Sequence, residues 1–459
     1  MIALSTRLAL SRLRENRSGL DVLAVLAFAV TAWLALTVAG GTTMFVQRAD
    51  DPPAVFRDAV TGFGFGAPGE LALGYVFLAA IACAVLVVPI LGLGGAAARL
   101  GASGRSRRLS ALRLIGMTGS EVVLMSVVES LVLAALGIIA GTMIWAVSLP
   151  GWTAVSFLGE NLHAAEMLVP WWVAAGVIAL ILLLAALSTL LGLQRVRISP
   201  LGVARRETPP ALKAWRVAAL VLGIVAFVVV SRSFDVLNSD LGGFLIIGGF
   251  LAAVVFAVNL VGPWVIQLVA RPLTRTKNPA ALLAMRRLAA APKAAWRNVS
   301  GLALLGLIAA FTVVMPKDLT DADPISAILL PDIRTGAMIT LAIGLVLAAT
   351  STLINQASAT VDRAQQTVAL NRLGTPAAVL AGARLRQVLV PMATTLAVSI
   401  PAGLVLALPF LTQAADISYQ NIALLGGVLL TGVLLTVAAA AACGPIEKRI
   451  LTTAYRRND

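Results

Sequence analysis

Few side chains in this sequence could do chemistry, and their spacing limits what they could do. The five lysines follow Leu212, Thr276, Pro292, Pro316 and Glu447. A G-x-x-x-x-G-K-[ST] loop needs its lysine after a glycine, because the backbone must turn its N–H groups onto phosphate. ATP hydrolysis within the chain is therefore excluded. The one histidine, His163, rules out HExxH and multi-histidine metal sites, and no nucleophile elbow stands near it for a Ser–His–Asp triad. It reads as a solvated or interfacial residue. Cys83 and Cys443 fall in apolar runs and read as small hydrophobes rather than a disulfide or redox pair. No enzyme activity, metal or cofactor of its own is expected.

Two polar positions inside apolar runs remain. Glu129 sits about two turns into the run that comes after "RRLSALRLIG" (107–116), and Gln387 sits in a later one. A carboxylate at that depth costs a few kcal/mol unless it is paired or protonated. One reading bonds Glu129 to a neighbouring helix or to a nearby arginine. The other makes it a substrate or proton site. Gln387, which keeps hydrogen bonding and gives up charge, favours the first. In 107–116 the apolar Leu109, Leu112 and Ile115 recur at i, i+3 and i+6, among Arg107, Arg108 and Arg113. That pattern predicts a short amphipathic helix, stopped by glycine. It lies on lipid, or its leucine stripe enters a groove on another protein. Gly137 and Gly141 in "GIIAG" make a small-xxx-small face for helix packing.

The elements holding these positions are membrane spans. The chain is 59% hydrophobic and 12% charged, beyond what a globular core uses. Its apolar runs are long enough to cross about 30 Å of hydrocarbon as helices. Spans are expected at roughly 21–46, 71–94, 121–149, 169–193, 217–231, 242–270, 299–315, 335–358, 387–408 and 421–443. With the N-terminus inside, 30 of the 35 Lys and Arg fall on the inner side, and only Arg48, Arg57, Arg232, Lys317 and Arg334 fall outside. The outer segments hold 13 of the 21 acidic residues. This asymmetry predicts ten spans in the plasma (inner) membrane with both termini cytoplasmic. The net charge of +14 then reflects topology and attraction to anionic lipid, not nucleic-acid binding. "MIALSTRLALSRLRENRSG" reads as an interfacial amphipathic helix rather than a cleaved signal.

A shift of 258 sets Leu112 on Leu370, Ile115 on Leu373, Gly116 on Gly374 and Glu129 on Gln387. "ALLAMRRLAAAPKAAWRN" (280–298) likewise repeats the basic N-terminal segment ahead of a span. Both copies start inside, so the repeat is parallel. The expected fold is all-α and polytopic: two four-helix repeats joined by a two-helix hairpin. Its parts are an interfacial helix (1–19), a first repeat (20–206), a linker and hairpin (207–270), a second interfacial helix (271–298), a second repeat (299–450) and a tail (451–459). The outer loops at 47–70 and 316–334 are too short for a domain with its own core. "TGFGFGAPGE" (61–70) reads as a flexible or re-entrant turn, or as a mobile gate.

The stretch "RRLSALRLIGMTGSEVVLMSVVESLVLAALGIIAG" resembles the FtsX-like permease domain of ABC transporters, in which an R-x-x-x-L-R-x-x-G helix precedes a glutamate-containing span. "VDRAQQTVALNRLGTPAAV" resembles the same pattern in degenerate form, and "LQRVRISPLGVARRE" is similar to that domain's basic exit. The resemblance covers roughly 71–206 and 335–450. It implies coupling helices at about 105–117 and 362–375, seated on a separate ABC ATPase that binds ATP and Mg. Arg108, Leu109, Leu112, Arg113, Ile115 and Gly116 would carry the first contact, and Ala369, Leu370, Arg372, Leu373 and Gly374 the second. Ten spans resemble the bacitracin-exporter type, with two ATPase copies per permease. That type and the macrolide-exporter and lipoprotein-release types carry a large extracellular domain that this chain lacks. The expected function is export or extrusion of an amphipathic substrate (peptide, lipid or drug-like) from the bilayer. The competing readings are a transmitter signalling to a hydrolase or sensor kinase, and an ion-coupled secondary transporter.

Overall fold

The computed structural model describes residues 19–63, 67–103, 118–198, 215–233, 241–314, 324–407, 419–448 and 452. Helices dominate because apolar backbone in a membrane must satisfy its own hydrogen bonds. They are α1 (Gly19–Asp50), α2 (Ala54–Phe63), α3 (Pro68–Ser103), α4 (Gly119–Ser148), α5 (Trp171–Ile198), α6 (Trp215–Ser233), α7 (Leu241–Leu273), α8 (Pro279–Ala290), α9 (Pro292–Val314), α10 (Pro324–Asp362), α11 (Ala364–Arg372), α12 (Ala377–Ala407) and α13 (Tyr419–Ala441). One 3₁₀ turn (Leu149–Ala154) leads into a two-stranded antiparallel hairpin, β1 (Ser156–Phe157) and β2 (Glu160–Asn161).

Ten of these helices fall on the ten expected spans. Among the described residues, seven are long and apolar enough to cross a membrane: α1, α4, α5, α7, α10, α12 and α13. The other three, α3, α6 and α9, carry shorter apolar stretches. The chain is a multi-pass, all-α membrane protein. Leucines and tryptophans stand exposed along the lipid-facing sides, with Trp171 and Trp172 at the start of α5 in the manner of an interfacial aromatic belt.

The helices pack in two sets. α1 lies at the centre of the first, against α3, α4 and α5; α9 lies at the centre of the second, against α10, α12 and α13. α10 joins the sets by packing on α3 and α1. Its Leu347, Ile354 and Ala357 share a buried cluster with Phe28 and Leu34 of α1 and Leu93 of α3. Close approach of α1 and α4 depends on glycine. A Cβ on Gly137 would lie 2.8 Å from the Val25 carbonyl oxygen, and one on Gly141 would lie 2.8 Å from the Ala32 Cβ. On α12, Gly403 is pressed in the same way on the Leu307 carbonyl and the Ala310 Cβ of α9. The α6–α7 pair docks on the second set, where the Trp296 indole of α9 lies over Gly262 and donates to Asn259 Oδ1 at 3.1 Å.

The expected loop at 47–70 holds a helix instead. α2 buries Phe56 and Val60, which join Ala49, Ala72, Tyr75, Leu158 and Ile325 in a small core at this end of the molecule. Short connections, none able to fold alone, thus share one apolar cluster with the helix ends. Residues 64–66 of the "TGFGFGAPGE" stretch, the N-terminal segment 1–18, the linker 199–214 and nearly all of the tail lie outside the described residues.

Candidate functional site

The second of the two expected coupling segments forms α11, a nine-residue helix with no buried residue. Ala369, Arg372 and Gly374 are exposed, Leu370 is partly buried, and Leu373 is 82% exposed. The helix ends in a Schellman turn. Gly374 takes φ +86°, Thr375 N–H donates to the Leu370 carbonyl at 3.0 Å, and Gly374 N–H donates to that of Asn371 at 3.0 Å. Glycine is required there because a Cβ disfavours the left-handed conformation. The stop holds Leu373 out at the tip.

A polar tie fixes the other end of α11. Arg363, the residue before it, donates from Nη1 to Gln387 Oε1 on α12 at 2.9 Å, and Gln387 Nε2 donates to the Ala383 carbonyl at 3.2 Å. Burial lowers the Arg363 pKa from its usual value and the adjacent Asp362 opposes that. An arginine stays charged regardless. Gln387 thus ties α12 to the arginine just before α11. A hydrogen bond to a charged group contributes roughly 1.5–3 kcal/mol. Gln387→Leu is therefore expected to speed amide hydrogen exchange across 364–373 by about tenfold or more, read by mass spectrometry, with helix α12 unaffected.

The first coupling segment, with Arg108, Leu109, Leu112, Arg113, Ile115 and Gly116, lies outside the described residues. Beyond it α4 opens at Gly119. Thr118 caps the helix by accepting from Glu121 N–H, and the Glu121 carboxylate accepts from Thr118 N–H at 2.9 Å. Glu129 lies ten residues into α4, half-buried, as Gln387 lies ten residues into α12. Next to it, Ser130 is buried and receives the Thr189 hydroxyl of α5 at 2.9 Å. Gly137 and Gly141 continue along α4 onto α1.

A polar cluster occupies the opposite end. Arg48, at the end of α1 and 5% exposed, uses all five of its N–H donors. Nε donates to Glu166 Oε2 at 2.6 Å, and Nη1 donates to the carbonyls of Phe157 at 2.6 Å and Glu160 at 3.2 Å. Nη2 donates to the Asn161 carbonyl at 3.1 Å and Glu166 Oε1 at 3.2 Å. Burial pushes the Glu166 carboxyl up, but the Arg48 bonds outweigh it and hold the group below the usual carboxylate range. Asp332 of α10, 6% exposed, accepts from the Tyr75 hydroxyl of α3 at 2.9 Å and from Leu158 N–H at 2.7 Å. Beside this contact an open groove of about 420 Å³ is lined by Arg334, Thr335, Met338, Ile339 and Ala342. His163 is exposed, with Nδ1 at 3.8 Å from Glu166. Cys83 and Cys443 are both free.

None of Arg48, Glu166, Tyr75 and Asp332 is singled out by sequence pattern. Glu166 is 118 residues from Arg48, and Asp332 is 257 from Tyr75, so no local spacing signals either pair. The one available signal is charge: Arg48 is a rare cation on a side that the tally otherwise leaves acidic.

The long apolar helices, with a short exposed helix between two of them, define an all-α multi-pass membrane protein. Residues 95–201 match the family model described as FtsX-like permease C-terminal, so this stretch is similar to that domain. Such permeases are membrane subunits of the ABC-transporter type and generally work with ABC ATPase subunits. No curated protein and no solved structure matches the chain.

Proposed function

We propose that the chain couples ATP hydrolysis by a separate ATPase, present in two copies that bind the ATP and Mg, to export or extrusion of an amphipathic substrate. The observation that carries this reading is α11. A leucine 82% exposed at the tip of a short, rigidly stopped helix is what an apolar groove on a second protein accepts. The Arg363–Gln387 bond would pass force from that groove into α12.

The parallel repeat has structural support. Under the shift of 258, the first residue of α4, Gly119, falls on the first residue of α12, Ala377. Each set packs its first span against its second and third in the same way. This favours ten crossings, with α3, α6 and α9 completing the seven. It also favours two matched plugs, 107–116 and α11, for two ATPase copies. The basic end that carries α11 is then cytoplasmic, as are both termini, and the hairpin end faces outward. The groove below Asp332 is polar at Arg334 and Thr335 and apolar at Met338, Ile339 and Ala342, which suits an amphipathic molecule.

The test is copurification. Burying a leucine in a partner contributes about 1.5–3 kcal/mol, or roughly tenfold to a hundredfold in affinity. Leu373→Asp combined with Ile115→Asp, its sequence counterpart, is expected to cut ATPase recovery in mild detergent by at least about tenfold while permease yield is kept. Undiminished recovery would sink the docking assignment.

A further inference from the structure

The strained turn of the hairpin is the feature that permease function leaves unexplained. Leu158 takes φ +56° and Gly159 takes φ +77°, so both central residues of the two-residue turn are left-handed. Asparagine or glycine normally occupies such a turn, since a branched apolar side chain is strained there. Leu158 is nevertheless 1% exposed, wedged among Phe56 and Val60 of α2, Tyr75 of α3 and Ile325 of α10. Its N–H is held by Asp332 of α10. Strain of this kind persists only where the surroundings over-determine it, and it collects at switching elements.

Two different bodies hold this turn. Its base is bolted to the first set, because Arg48 of α1 grips the carbonyls of Phe157, Glu160 and Asn161. Its tip is held from both sides: a Gly159 Cβ would stand 3.0 Å from Val55 of α2 and 3.8 Å from Ile328 of α10, and the second set adds the bond from Leu158 N–H to Asp332. The same Asp332 carboxylate also takes the Tyr75 hydroxyl of α3. α10 then runs without interruption from this contact to Asp362, next to Arg363 and α11. Thirty residues at 1.5 Å each make a rod of about 45 Å. Pro331, one residue before Asp332, removes the ladder bond to the Ala327 carbonyl and so loosens α10 just ahead of that rod.

The geometry points to an outer gate: Leu158 is the bolt, Asp332 the catch, and α10 the rod that lets motion of the docking helix α11 draw the catch away. Closed, the gate seals the outer ends of the two sets together. Released, the turn relaxes and the two sets part beside the Arg334–Ala342 groove. This role rests on the proposal that an ATPase drives α11, but the gate itself can be tested without one.

The experiment is a distance measurement between spin labels at Asp58→Cys on α2 and Ala327→Cys on α10, both exposed, in a Cys83→Ala, Cys443→Ala background reconstituted in nanodiscs. The parent is expected to give one narrow distance. Asp332→Ala, or Leu158→Gly, which removes bolt and strain together, is expected to add a longer population of at least about a quarter of the molecules. Tyr75→Phe deletes one hydroxyl bond and keeps the ring packing, so it is expected to shift the distribution less in the same direction even if the harsher variants fold poorly. An unchanged distribution in Tyr75→Phe and Leu158→Gly would overturn the gate. If labels respond as expected but the docking variants leave ATPase recovery intact, the gate stands and the coupling reading falls.

Discussion

Arg48→Met is expected to lower stability by about 3–5 kcal/mol, the range for breaking a buried ion pair from one side. The side chain is 6% exposed and its partner Glu166 is 24% exposed, so the carboxylate left behind recovers part of its hydration. The three carbonyls of the hairpin have less access to water, and unsatisfied buried acceptors cost about 1–3 kcal/mol each. Arg48→Lys should rescue little, because one ammonium with three donors cannot reproduce a planar fork that fills five bonds. The measurement is thermal unfolding of the purified permease, followed by tryptophan fluorescence. A loss below about 1 kcal/mol, the ceiling for solvated ion pairs, would mean that this cluster contributes little to the fold. The pH dependence has a definite sign. Arg48 holds the Glu166 pKa below its unfolded value, so the pair's contribution is present above the usual carboxylate pKa of about 4.3 and is lost as pH falls through the depressed one. Arg48 also favours the ionised form of Asp332, whose pKa burial raises to about 6, so the gap between wild type and Arg48→Met should begin to narrow near pH 6 and narrow further in stronger acid as Glu166 protonates.

Why this cluster escapes a reading of residue order is physical. Apolar runs report membrane helices because transfer energy sums locally along the chain, and the helices lie where those runs lie. Their ends obey other forces. α12 begins at Ala377, ten residues before the expected span, since Arg384 and Arg386 depress a hydropathy window without opposing helix formation. Those arginines instead reach Glu447 and the Gly382 carbonyl. α2 is ten residues in a stretch expected to be a loop, and its helicity comes from the tertiary cluster around Phe56 that no window contains. The cap at Thr118 is legible, with T-x-x-E in plain order. Gly374 is legible as well: a glycine after a short basic helix signals a stop, and a Schellman turn is what forms. The short helix α11 and its stop are therefore written in the sequence, while the hairpin cluster depends on pairs that only the folded chain brings together.

Gly141→Leu is expected to separate α1 from α4 and to cost more than the roughly 1–3 kcal/mol typical of overpacked cores. At this position a Cβ would meet the Ala29 carbonyl oxygen and the Ala32 Cβ, and neither can turn aside as a side-chain tip can. Gly137→Leu should act alike, through the Phe28 Cβ and the Val25 carbonyl. Gly176→Leu, on α5, is the control: nothing lies within 4 Å of its Cβ, and replacing a helical glycine there should be neutral or stabilising by roughly 0.5–1 kcal/mol. Thermal unfolding of the three variants separates loss of glycine flexibility, which would affect all alike, from steric conflict, which affects only the first two. The consequence reaches beyond stability. Contact through small residues lets backbones approach without polar bonds between them, so α1 and α4 move as one body. α9 and α12 are joined the same way, at Gly403 and where Gly306 lies under Ser399. Rigid pairs at the centre of each set leave α10 as the element shared between them. Widening the α1–α4 seam should then blur the motion passed to the hairpin end even in variants that still assemble, which label distances across that end would register as broadening without a new maximum.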